Sequence, residues 1–119
     1  MKYVLLFYGT TDQQQAWEEI SKEASDEQYA QVGRWFMENG PKLGSGYQLQ
    51  PPHTATSVHF PDKGDPIIHD GLFIESNEVI GGYVEIDVPD LDEALRMAKT
   101  WPPRGTVEIR PVLEMGQQA

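Results

Sequence analysis

The chain has 119 residues, 39% apolar and 10% aromatic, with 19 acidic against 9 basic side chains and a formal charge of −10. That is one domain's length, with enough apolar surface to fold, while the acidity and the lack of a basic cluster exclude direct nucleic-acid binding and disfavour an anionic membrane surface. The absence of cysteine excludes disulfides, thiol catalysis and cysteine-ligated metal; with no spanning-length apolar run and no cleavable leader pattern, a cytoplasmic protein is expected.

Residues 3–8, from Tyr3 to Tyr8, are β-prone and apolar at every position, and Gly9 ends the run. Alternation would mark a strand wet on one face, so its absence predicts a strand covered on both. A short helix follows over 12–22, with Trp17 and Ile20 on one side. Ser25 opens a second helix: Ser25-x-x-Gln28 has capping-box spacing, and Asp26 and Glu27 suit the positive end of the helix dipole. Tyr29, Val32 and Phe36 recur at helical spacing as its buried stripe, and Gly40-Pro41 stops it. Trp35 and Trp101 read as packing residues, and Trp17 as the rim of a cleft between the first helix and the sheet.

Residues 43–50 and 54–60 read as strands separated by Pro51-Pro52. Residues 61–66 form a hairpin loop that returns through Ile67, Ile68 and His69. Gly81-Gly82 introduces the clearest alternation, with Val84, Ile86 and Val88 facing one way and Tyr83, Glu85 and Asp87 the other. Asp90 caps a third helix with Glu93 three residues on, and Leu91, Ala94, Leu95, Ala98 and Trp101 form its apolar face until Pro102-Pro103. Val107 and Ile109 then alternate with Glu108 and Arg110 in a last strand. A domain over 1–113 with a frayed tail over 114–119 is expected.

This order predicts an α+β fold of ferredoxin-like type: an antiparallel sheet, helices on one face, and an additional β-hairpin. The helices cover one side of the first strand. The other side needs a second cover, and the same face of a second copy supplies it, so a homodimer is expected.

The stretch Asp70-Gly71-Leu72-Phe73-Ile74-Glu75-Ser76-Asn77-Glu78 resembles the signature of the DGPF group within the YCII-related family, which typically reads Asp-Gly-Pro-Phe-Ala-Glu-Thr-Lys-Glu. The opening Met-Lys-Tyr-Val-Leu-Leu, Leu49-Gln50-Pro51-Pro52, Gly81-Gly82-Tyr83, Val88 to Ala94 and Glu108 to Val112 match in the same order. The resemblance implies the dimeric α+β barrel, a fold that also carries isomerases, monooxygenases and haem enzymes and so fixes no chemistry. One branch of the family carries a His–Asp pair proposed to be catalytic, with the His in the first long helix. Residues 26–39 hold no histidine, so that role does not transfer. Leu72 stands where Pro is usual and Asn77 where Lys is usual, which removes the one cation from an acidic motif. Some relatives occur beside or fused to extracytoplasmic-function sigma factors, which implies a partner role.

Asp70, Glu75 and Glu78 form an acidic cluster that reads either as a general base or cation site or as turn and solvent-facing residues. Gly71 and Phe73 belong to the same motif. His59 and His69 flank the hairpin loop and can face each other across it, but no tight ligand spacing is present, so neither a metal nor another cofactor is expected. Arg110, beside Glu108 in the last strand, reads as an ion-pair partner of Glu85 or Asp87 across the sheet, or as a cation for an anionic ligand. Gly44-Ser45-Gly46 lacks the Lys-Ser/Thr of a phosphate loop and leads into a strand.

Gln50, Asp70, Tyr83, Glu85 and Arg110 are the ligand-binding candidates, for a small polar, partly anionic metabolite in a sheet–helix cleft that is bound or transformed there. No catalytic residue is singled out. The alternatives are an accessory protein acting with a sigma factor and a structural dimer without a ligand.

Overall fold

The computed structural model describes residues 1–74 and 76–114; all but the first residue of the tail expected over 114–119, and the motif residue Glu75, lie outside them. The elements are β1 (Lys2–Thr10), α1 (Thr11–Glu19), α2 (Lys22–Asn39), β2 (Leu43–Gln48), β3 (Thr56–His59), β4 (Ile67–Asp70), β5 (Glu78–Asp87), α3 (Leu91–Lys99) and β6 (Thr106–Pro111). Four strands form one antiparallel sheet in the order β2-β5-β1-β6, and β3 pairs with β4 in a separate two-stranded sheet. This is the α+β class expected, with the additional hairpin. Among the described residues, no helix is long and apolar enough to cross a membrane.

The central strand explains the arrangement. Tyr3, Leu5 and Phe7 of β1 are buried, as are Val84, Ile86 and Val88 at and beyond the end of β5, which bears out the alternation in that segment. They meet Trp35 of α2 and Ala94 and Met97 of α3, with Leu43, Trp101, Val107 and Ile109 packed around them. Phe7 stacks on Trp101 at 3.9 Å, and Trp35 stands edge-on to Trp101 at 5.0 Å. The Trp35 indole N–H donates to the Met97 carbonyl and to Thr100 Oγ1, both at 3.1 Å, so the polar end of a buried ring is satisfied. Val4, Leu6 and Tyr8, on the other face of β1, are only half-buried.

Several boundaries differ from the expectation. The first helix starts at Thr11, because Thr10 and Gln13 form a reciprocal capping box. The second helix is capped by Ser21, whose Oγ accepts from Ala24 N, while Ser25 lies one turn inside it. Its buried face also differs from the expected stripe: Trp35, read as a packing residue, and Asn39 are the buried residues, while Tyr29 and Phe36 are exposed. Trp17 packs edge-on against Tyr29 at 5.2 Å rather than rimming a cleft beside the sheet. On α3 the buried pair is Ala94 and Met97, whereas Leu91 and Leu95 are exposed. The strands expected over 43–50 and 54–60 end earlier, at Gln48 and His59. Gly81 and Gly82 lie inside β5 instead of before it, and Gly81 is an extra residue: Phe7 pairs with Gly82 but Tyr8 pairs with Ile80. Gly44-Ser45-Gly46 is a bulged stretch of β2 pressed onto β5, where a Cβ at Gly46 would collide with the Tyr83 carbonyl.

A polar chain ties the two long helices together. Lys42 Nζ and Arg96 Nη2 each donate to Glu93 Oε1 at 2.6 Å. Arg96 Nη2 also donates to Asn39 Oδ1 at 3.0 Å, and the buried Asn39 amide donates to the Trp35 carbonyl at 2.8 Å. Hydrogen bonds from Arg96 and then Lys42 hold the Glu93 carboxyl down at about 2, from an ordinary 4.5. A carboxylate held low stabilises the fold in full above its unfolded value, and the gain is lost as pH falls through the folded value. Glu93→Gln should therefore flatten the decline of Tm between about pH 4.5 and about pH 2, read by calorimetry against the parent protein. Parallel curves would show that the pair carries no pH-linked stability.

Candidate functional site

A cleft of about 730 Å³ lies between the hairpin, the start of α1 and the start of β5, lined by Thr11, Pro52, His53, His69, Asp70, Gly71, Leu72, Ser76, Asn77 and Val79. Each wall has a local cause. Pro51 and Pro52 start a tight turn in which Thr54 N and Oγ1 both donate to the Pro51 carbonyl. His53 on that turn meets Glu18 of α1 at 3.3 Å. Thr11 N, at the helix start, donates to the Asn77 carbonyl at 2.9 Å, which fastens the motif segment to α1.

Gly71 turns the chain out of β4 with a φ of +94°, a conformation that costs a residue with a Cβ about 1–2 kcal/mol. Its N–H donates to the Ala55 carbonyl at 2.6 Å, and the Gly71 carbonyl accepts from Ser57 Oγ at 2.8 Å. The motif's Asp-Gly pair is thus a turn closed across β3. The Asp70 carboxylate is exposed and makes no hydrogen bond or ion pair among the described residues. Phe73 serves the hairpin: its ring stacks on His59 at 4.3 Å and stands edge-on to His69 at 6.2 Å. The register pairs His59 with Ile67 and His69 with Ser57, so the two imidazoles sit diagonally and do not face each other. Among the described residues, no three His, Cys, Asp or Glu side chains gather as a metal site.

The ligand-binding candidates fall into separate groups. Asp70 and Gly71 line the cleft; Gln50, Tyr83, Glu85 and Arg110 do not. Gln50 is exposed in the segment after β2. Tyr83, Glu85 and Arg110 share the sheet face away from the helices, since Tyr83 pairs with Leu6 while Glu85 and Arg110 flank Val4 from either side. Two strand spacings separate Glu85 from Arg110, about 10 Å. Arg110 instead meets Glu108 at 3.3 Å, and the Tyr8 hydroxyl donates to the same carboxylate oxygen at 3.4 Å. Burial, then the Glu108 charge, raises the Tyr8 hydroxyl above its ordinary 10.0. Glu78 accepts from Thr106 Oγ1 at 2.9 Å, which ties β5 to β6.

Sequence reasoning found Asp70 and Gly71 but passed over His53, Thr11, Ser76 and Asn77 as site residues. The signal for the last two was present: they belong to the motif that begins at Asp70. His53 sits beside a proline pair, which marks a turn but does not show what the turn packs against. Among the described residues, the cleft offers one carboxylate, two imidazoles, an amide and hydroxyls over an apolar backing of Leu72, Val79 and Pro52, with no lysine or arginine in its lining. Such a lining suits a neutral or cationic polar molecule better than an anion.

Gly71→Ala should lower the unfolding free energy by about 1–2 kcal/mol through its left-handed backbone. Gly33→Ala, inside α2 with open space around it, should raise it by up to about 1 kcal/mol. Urea titrations read both, and a neutral Gly71→Ala would show that the turn carries no strain when substituted.

The model of the YCII-related domain matches residues 1–116 of this chain. An uncharacterised protein of Rhizobium meliloti (strain 1021) is 33% identical over 116 residues, which cover 94% of this chain and 92% of that relative.

Proposed function

The chain belongs to the YCII-related domain family, and on that premise we propose that it binds a small polar metabolite in the hairpin cleft. The observation that carries this reading is the place of the motif: Asp70, Gly71, Leu72, Ser76 and Asn77, five residues of one signature stretch, line the same cleft. A volume of about 730 Å³ lies within the usual range for small-molecule sites. Asp70 is the acceptor for a hydroxyl or amine, Asn77 and Ser76 set orientation, and Leu72 and Val79 take an apolar part. Transformation of the bound molecule would draw on His69 or His53 as proton carriers beside Asp70; binding needs neither.

The same reading includes a ferredoxin-like dimeric barrel, with two copies meeting through the sheet face that carries Val4, Leu6, Tyr8 and Tyr83. The support is uneven coverage: α2 and α3 close one side of β1, and no described element closes the other. The protein should run as a dimer at micromolar concentration by light scattering, and a folded monomer mass would count against the barrel.

For the cleft, a thermal-shift screen of hydroxylated and amine-bearing metabolites should find stabilisers. At a hundredfold excess over Kd these add about 2.7 kcal/mol. Asp70→Ala should abolish that gain and Arg110→Ala should keep it. The reverse pattern would move the site to the sheet face, where an anionic ligand on Arg110 becomes the better reading. The accessory role beside a sigma factor has one feature in its favour, the exposed apolar surface of the hairpin, which is the kind of patch a protein partner covers.

A further inference from the structure

The β3–β4 hairpin hydrogen-bonds into no other strand, and an isolated two-stranded hairpin is at best marginally stable in water. Something must pack on it. One face, carrying Ser57, His59, Ile67 and His69, takes the Phe73 ring. The other runs from Asp70 at the cleft through the cross-strand pair Val58–Ile68, with Phe60 beyond them toward the tip. Val58, Ile68 and Phe60 are 53%, 73% and 74% exposed. The chain is also less compact than its length requires. Its radius of gyration is 16.6 Å and its extents are 49 × 47 × 19 Å, against about 13.5 Å for a compact domain of this length.

We propose that the Val58–Ile68–Phe60 face of each hairpin seats on a second copy of the chain, so that the dimer partner closes the cleft at Asp70. Area argues for a second copy. The open face of the main sheet is four strands wide, about 19 Å, and runs about 20 Å along β2 and β6 and about 30 Å along β1 and β5. That is about 500 Å² of footprint, short of the roughly 800 Å² per partner that a standard interface buries. Two hairpin faces, one from each copy and related by the dimer axis, supply further apolar area in the same assembly. Charge points the same way: a chain of net charge −10 pairs with itself most readily through uncharged surface, and Val58, Phe60 and Ile68 are uncharged. Because this face ends at Asp70, an occupant of it borders the proposed ligand. The inference rests on the cleft as the ligand site only for this last step; the assembly itself needs no ligand.

The test is therefore read without ligand. Phe60→Ser/Ile68→Ser changes two solvent-facing side chains, so native circular dichroism is expected. Sedimentation velocity over a dilution series should show the dimer dissociation constant rising about tenfold or more. In the unmodified protein, hydrogen exchange at residues 56–60 and 67–70 should speed up on dilution while the β1–β5 amides hold. An unchanged dissociation constant in a natively folded variant overturns the proposal. So does a parent protein that stays monomeric at every concentration, including one whose hairpin is protected only by a different protein such as a sigma factor. Failure of the metabolite screen alone would remove the cleft reading and leave the hairpin contact standing.

Discussion

Everything in this domain hangs on three aromatic rings. Phe7 projects from the central strand, Trp101 follows the last turn of α3, and Trp35 comes from the middle of α2; their mutual contacts at 3.9–6.3 Å fix both long helices on one side of the sheet. Aromatic pairs of this kind add about 0.5–1.5 kcal/mol each beyond their buried area. The indole N–H of Trp35 adds direction, because its two acceptors both lie at the end of α3. With that corner set, Asn39 comes within reach of Arg96, and Arg96 within reach of Glu93. The polar chain between the helices is a consequence of the aromatic corner and not a separate design.

Putting both helices on one side leaves the other side bare, and the two candidate ligand regions follow from that division. Tyr8, Tyr83, Glu85, Glu108 and Arg110 stand on the bare face, where Glu108 already engages both Arg110 and Tyr8. The cleft lies off the main sheet, built from a hairpin, a proline turn and a helix start, and it touches the sheet only where β5 begins. In the first region the one guanidinium is already engaged by Glu108. In the second, the Asp70 carboxylate has no partner among the described residues, the usual distribution in which a rigid scaffold carries function on its connections.

Much of the fold was legible because its signals are local. Alternation over residues 83–88 placed three core residues correctly, and the run at 3–8 identified a central strand of the main sheet, paired with β5 and β6. Helix phase was less legible. Ser21 and Ser25 are both good caps, and spacing to Gln28 favoured the wrong one; separately, helical spacing put Tyr29, Val32 and Phe36 on the buried stripe, whereas Trp35, read as a packing residue, is buried beside Asn39. Burial of Asn39 has no pattern signal at all, since it follows from contacts to a helix 57 residues later in the chain. The site was half legible for a similar reason. A contiguous motif announces Asp70, Gly71, Ser76 and Asn77 together, whereas His53 and Thr11 join them only through tertiary contacts. The grouping of Asp70 with Tyr83, Glu85 and Arg110 assumed that polar residues on regular strands converge; the hairpin belongs to a different sheet, and they stand apart.

The extra residue in β5 has a wider consequence. A strand's side chains alternate with a period of two, so one unpaired residue inverts the phase of everything that precedes it. Ahead of Gly81, Val79 is turned inward and buried while Ile80 is turned outward; in an unbroken ladder the two would trade places. Val79 is part of the cleft floor, and Ser76 and Asn77 hang from the same strand end. Leu49 N donates to the Gly81 carbonyl at 2.8 Å, so the irregularity is clamped from the neighbouring strand. A single-residue deletion here would leave the core beyond Gly82 intact and present the inverted set of side chains to the cleft. Length changes in the hairpin loop at 61–66 carry no such penalty. A change of strand length at Gly81 thus re-faces the cleft as a whole, whereas one at the hairpin tip, outside the cleft lining, leaves it as it is.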